Sequence, residues 1–248
     1  MSNGSGPSHI AAGKPAERDD FILIRRRRLV RDLAPPTGAV MLDLGCGNGA
    51  QTILFGDDFP RIIGVDLGVH YLKEMMREVE RRGLAGRMLP VCSDSSRLPL
   101  SDASIDFAIS FEVLEHVRRE EETLSELARV MRPGGVVALS VPNRWWIFET
   151  HGANLPLLPW NRVPLFSWLP KGIHDRWARA RIYTKREIVE KLGNAGFSVR
   201  RVVYISAPMD VVKWKPLRRV LRATIFRPDE APLPTLATAI LAVAERNA

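Results

Sequence analysis

Three carboxylates and a cluster of glycines are the residues best placed to do chemistry. Residues 40–49 read Val-Met-Leu-Asp-Leu-Gly-Cys-Gly-Asn-Gly, an apolar run broken by three glycines in five positions. Glycines let the backbone turn sharply and approach a ligand with no Cβ in the way, and a helix start behind them offers unpaired N–H groups. Asp43 stands two residues before the first glycine, where its carboxylate would sit at the lip of a crevice. Asp66 ends a second apolar run, and Asp94 lies in a polar loop after a third. Each acid also has an ordinary use, as turn cap, N-cap or Asx-turn residue. Three at successive strand ends favour a ligand. Further on, Glu112, Glu115 and His116 follow a fourth apolar run, and at helical spacing Glu112 and His116 share a face. A carboxylate and an imidazole placed this way can take a proton from an acceptor. Two later histidines, His151 and His174, lie among tryptophans and could close over an acceptor or pack within a lid, packing being the preferred reading for His151.

The elements that must position these residues alternate. Strands are expected over residues 40–44, 61–66, 88–91, 105–110 and 136–141, with helices over about 70–82 and 119–131, the latter stopped by Arg132-Pro133-Gly134-Gly135. A further helix is expected from Asp19 until Pro35-Pro36 stops it. Its central Arg25 to Arg28 are read as a solvated face. Thr184 and Glu187 have the spacing of a capping box opening a helix to about residue 195, and strands follow over 197–205 and 236–244. Such alternation with mostly apolar strands calls for an α/β fold, a parallel sheet covered on both faces, with ligands at the carboxyl ends of the strands.

The totals set bounds. At 248 residues the chain suits one large α/β domain, expected over residues 19–248, after a tail at 1–18 with no periodic apolar pattern. Cys46 and Cys92 fall in or beside core strands, which implies free thiols in a reducing compartment; neither reads as a metal ligand, and no metal is expected. No apolar run reaches bilayer length, so the expected location is cytoplasmic. A net charge of +8 favours anionic neighbours.

A glycine turn of this kind can serve a dinucleotide or another adenosine cofactor. Asp43 argues against a pyrophosphate, which its charge would repel, and suits a ligand carrying an ammonium and a sulfonium, S-adenosylmethionine. With Leu42-Asp43-Leu44-Gly45-Cys46-Gly47-x-Gly49, Val65-Asp66, Ser93-Asp94-Ser95, Leu98-Pro99, Asp106-Phe107 and Val130-x-Arg132-Pro133-Gly134-Gly135, the chain resembles the class I S-adenosylmethionine-dependent methyltransferases. The resemblance implies a Rossmann-like seven-stranded sheet whose last strand is antiparallel. It also implies that the loop of Gly45, Cys46, Gly47 and Gly49 passes under the methionine part and that Asp66 binds the ribose hydroxyls. Leu67 would then pack on adenine and Asp94 accept from its amino group, with Ser95 beside it.

Residues 142–182 break the pattern, with five of the six tryptophans and six Lys and Arg against two acids. This insertion is expected to be a lid. Leu169-Pro-Lys-Gly-Ile-His-Asp175 is similar to a stretch of the ubiquinone-biosynthesis O-methyltransferases, which implies a small lipophilic or aromatic acceptor and O-methylation. Tryptophans flanked by Arg and Lys also suit a bilayer interface, so 142–182 and the basic stretch within 206–228 are candidate peripheral membrane contacts. The alternative is a lid packed on itself. RNA methylation is a rival use of the charge. The fourth strand ends in Ser110-Phe-Glu-Val rather than in an Asn/Asp-Pro-Pro-aromatic clamp, and no nucleic-acid module is evident. A cofactor-binding protein without catalysis is a third reading.

Overall fold

A computed structural model describes residues 20–148, 151–154, 159–160 and 164–248; the expected tail lies outside them. Seven strands form one sheet: β1 (Val40–Leu44), β2 (Arg61–Asp66), β3 (Met88–Cys92), β4 (Ile105–Phe111), β5 (Met131–Pro142), β6 (Phe197–Ser206) and β7 (Ala237–Arg246). Their order is 3-2-1-4-5-7-6. The first five pair in parallel, and β7 runs antiparallel to both β5 and β6. The strand order reverses between β1 and β4, the place where open α/β sheets bind ligands.

Side chains alternate between the two faces, and both faces are dry. Leu42, Leu44, Ala108, Val137 and Leu139 meet the apolar sides of α3 (Glu120–Val130) and α5 (Lys185–Asn194). Met41, Phe107, Ile109, Ala138 and Leu241 meet those of α1 (Phe21–Leu33) and α2 (Val69–Arg81). A strand buried on both sides needs apolar residues at every position, which is why these strands read as unbroken runs. The capping box of α5 is present in full, Thr184 accepting from the Glu187 N–H and Glu187 from that of Thr184.

Asp106 and Arg132 brace the far end of the sheet. Asp106 Oδ2 accepts from the N–H groups of Ala39 and Val40 at 2.9 Å, and Arg132 donates to Oδ1 at 2.5 Å. These two motif residues therefore hold strand ends opposite the glycine turn.

Four expectations are corrected. After Gly49 the chain makes turns and a short 3-10 helix, Thr52–Phe55, instead of an α-helix. Glu112 to His116 are not helical: Glu112 has φ +58°, and a turn follows in which the His116 N–H donates to the Val113 carbonyl. Residues 131–135 belong to β5 rather than preceding it. The arginine run is a solvated face only in part: Arg28 is exposed, whereas Arg25 and Arg26 are buried. Arg25 donates to the carbonyls of Phe226 and Pro228, and Arg26 pairs with Glu112.

The insertion contains a two-residue ladder between 153–154 and 159–160, a 3-10 turn, and α4 (Lys171–Trp177). Trp146 is buried while Trp145 and Trp168 are exposed; Trp160 lies outside the described side chains. The basic stretch forms α6 (Lys215–Ala223).

Candidate active site

The glycine turn leaves β1 with Gly45, Gly47 and Gly49 all at positive φ, and the N–H groups of Gly45 and Cys46 both donate to the Val65 carbonyl. At Gly45 a Cβ would come within 2.2 Å of Val113, so the turn is fitted against the segment after β4 as well as being left-handed. Asp66 joins two loops across the crevice: Oδ2 accepts from Gly47 N–H at 2.9 Å and Oδ1 from Gly68 N–H at 2.8 Å. Leu67 beside it is 68% exposed, an apolar surface left at the strand end where a flat base can lie. Asp94 accepts from the Ser96 N–H and hydroxyl, both through Oδ1, which pulls its pKa down; Ser95 bonds Thr123. The Asx-turn role expected as the ordinary use of Asp94 is therefore present. Cys46 is a buried free thiol with its pKa raised by burial, and Cys92 is an exposed one.

Asp43 is not at the lip. It is buried beneath the turn, since β1 is a central strand, and its Oδ2 accepts from the Thr52 hydroxyl at 2.5 Å. Burial raises its pKa from 3.8 to about 7, with the Thr52 bond opposing and the Asp66 charge adding. The folded protein thus holds a proton there that the unfolded chain has shed above pH about 4, so stability falls as pH rises from about 4 to about 7. Asp43→Asn should abolish that slope. Urea titrations at about pH 5 and about pH 8 should differ by roughly 2–3 kcal/mol more in the wild type than in the variant.

A cavity of about 310 Å³ lies beside the end of β4. Its walls come from α1 (Ile22, Arg26), from Glu112, from the insertion (Trp146, Phe148, His151) and from residues 207–211 and 238–239. Glu112 Oε1 accepts from Arg26 at 2.7 Å and from the Ser140 hydroxyl at 3.0 Å, while Oε2 lies 3.9 Å from His151 Nε2. Glu115 is fully buried, 3.7 Å from the same nitrogen and 3.9 Å from His116 Nε2. Neither Glu115 oxygen has a hydrogen-bond donor among the described residues. Burial first, then the negative charge of Glu112, pushes its pKa well up.

The structure therefore gathers Glu112, Glu115, His116 and His151, with the His116 and His151 rings 5.0 Å apart. His174 is elsewhere. It is fully buried in the insertion against Phe166, with Asp175 beside its Nδ1, and does not line the cavity. Arg26 is a wall residue the sequence does not single out, and His151, for which packing is the preferred reading, lines the wall as well. For Arg26 a signal exists, as Ile22, Arg26, Val30 and Leu33 recur at helical spacing and Arg26 falls on the apolar side. His151 carries no such signal. Ligand atoms of Glu115, His116 and His151 lie within 4.8 Å of one another, close enough that the cluster could hold a metal ion.

A methyltransferase-domain family model matches residues 42–139. The chain is 33% identical over 162 residues to a probable S-adenosylmethionine-dependent methyltransferase of Mycolicibacterium smegmatis, covering 65% of this chain and 53% of that protein. It is 28% identical over 141 residues to an O-methyltransferase of Aspergillus nomiae, covering 55% and 63%. The chain thus spans about half to two thirds of the length of these curated relatives. Among solved structures, the [4+2]-cyclase SpnF superposes with a TM-score of 0.64 at 17% identity, covering 96% of this chain and 86% of that one. That likeness is one of fold.

Proposed function

We propose that this chain, a member of the class I S-adenosylmethionine-dependent methyltransferases, methylates an oxygen of a small lipophilic or aromatic acceptor held in the cavity beside Glu112. The observation that carries the reading is the meeting of an apolar cavity with a carboxylate–imidazole group, at the end of the strand next to the glycine turn.

The residues present fit the cofactor. Asp66 accepts only from the backbone N–H groups of Gly47 and Gly68 and has no basic partner among the described residues, which suits a cation and repels a pyrophosphate. Asp66 and Leu67 would hold ribose and adenine, and Asp94 the adenine amino group. S-adenosylmethionine supplies an electrophilic methyl on a sulfonium, so the protein's work is alignment and exclusion of water. Ile22, Trp146, Phe148 and Met209 would wrap the acceptor's apolar body. His151 Nε2 would take the hydroxyl proton as the oxygen–methyl bond forms, and the Glu112 carboxylate would stabilise the resulting imidazolium. The Aspergillus relative's description as an O-methyltransferase supports oxygen as the target.

His151→Gln should lower turnover by about 10²–10⁴-fold and leave cofactor affinity unchanged. Equal turnover across a panel of phenolic and polyprenylated acceptors would sink the role of His151. Dialysis against a chelator separates the two uses of the cluster. Unchanged turnover supports proton transfer, and loss restored by a divalent cation moves Glu115, His116 and His151 to a metal site.

A further inference from the structure

An amphipathic helix normally hides its apolar side against the core, and α6 does not. At 100° per residue Leu217, Val220 and Leu221 share one side, with Lys215, Arg218, Arg219 and Arg222 on the other. Only Leu221 turns inward, toward Trp146, Met209 and Phe226. Leu217 and Val220 stand exposed, and α6 buries no residue at all. The exposed apolar surface extends along the chain to Trp214, 66% exposed, to Ile225 and to Val211. Val211, four residues before α6 begins, is both exposed and part of the cavity lining.

The cations around it are largely uncommitted. Residues 205–228 carry six Lys and Arg against Asp210 alone. Arg222 is occupied, donating to the Pro208 carbonyl and pairing with Asp210. Lys213, Lys215, Arg218 and Arg219 form no ion pair with a described residue. An apolar stripe with one tryptophan, bordered by unpaired cations, is complementary to a negatively charged lipid surface: the stripe enters the headgroup boundary and the cations meet anionic headgroups.

We propose that α6 and its flanking residues 211–225 dock the protein on an anionic bilayer, with the cavity rim turned toward the lipid. An apolar acceptor would then enter from the membrane without crossing water. Acceptor delivery rests on the reading of the cavity given above, whereas docking does not.

Flotation of the full chain with vesicles tests this. Vesicles of phosphatidylcholine mixed with phosphatidylglycerol should carry the protein, those of phosphatidylcholine alone should not, and rising salt should release it. Leu217→Asp with Val220→Asp should abolish flotation. Both side chains are exposed, so the melting temperature and the calorimetric affinity for S-adenosylmethionine should be retained. Lys213→Gln, Lys215→Gln and Arg219→Gln together should weaken binding about a hundredfold, at roughly fivefold per cation. Equal flotation on both vesicle types, flotation on neither, or full flotation of the double Asp variant overturns the proposal. So does salt-sensitive capture of tRNA by the same cations without any vesicle binding. Loss of cofactor affinity in the wild-type protein would instead overturn the enzymatic reading and leave docking standing.

Discussion

Asp66→Ala should weaken S-adenosylmethionine binding by about two to three orders of magnitude, as measured by calorimetry. One carboxylate holds two loops of the crevice together and, in the proposed function, has a third task. It accepts from Gly47 N–H and from Gly68 N–H, fixing the glycine turn relative to the loop after β2, and it would meet the ribose hydroxyls. Bonds to a charged acceptor contribute about 1.5–3 kcal/mol each, so removing the carboxylate loosens both loops as well as deleting a ligand contact. Asp66→Asn keeps one accepting oxygen and turns an NH2 toward the other N–H, so it should fall between wild type and Ala. Affinity unchanged in the Ala variant would remove Asp66 from the site. The effect should appear in cofactor affinity far more than in global stability, because the crevice lies at the strand ends rather than in the core.

Arg26→Met should destabilise the fold by about 3–5 kcal/mol, a drop in Tm of roughly ten degrees. The guanidinium is buried and pairs with Glu112, which already sits beside the fully buried Glu115. Without Arg26, the Glu112 charge loses its principal counter-ion inside the cavity wall. Adding Glu112→Gln to the Met variant should recover most of the lost stability, since the pair is then removed as a unit and no lone charge remains. A double variant no more stable than Arg26→Met would show that packing, and not the charge, is what Arg26 contributes. Thermal melts of the four proteins in the cycle decide between these.

The cofactor half was legible because local chemistry dictates it. A left-handed glycine turn, an acid at the end of a strand and an unbroken apolar run each leave a mark in a few neighbouring residues, and β1 to β5 follow those marks to within a few positions, apart from the earlier start of β5. The acceptor half left fewer marks. Arg25 and Arg26 are buried because partners some 85–200 positions away accept from them, and a run of four arginines looks solvated until those partners are known. Asp43 is expected at the lip of the crevice and lies buried beneath the turn. Its burial depends on β1 being flanked by β2 and β4 and on Thr52 returning over it. Glu112 and His116 do approach a common neighbour, His151, by way of a left-handed residue and a turn where helical spacing was expected.

The split between the halves also sets an order of assembly during synthesis. The glycine turn, Asp66 and Asp94 all lie before residue 95, and the strands that hold them pair in parallel by the time β5 is made. The cavity closes later: Ile22 and Arg26 in its wall emerge first, but Met209 and Ala239 emerge last, and Arg25 waits for a carbonyl 203 positions on. The seventh strand must then enter between two that are already formed. Contacts of such separation form slowly. A nascent chain would thus become competent to hold its cofactor well before it can hold an acceptor, and would carry a buried-to-be pair of arginines in solvent for most of that interval.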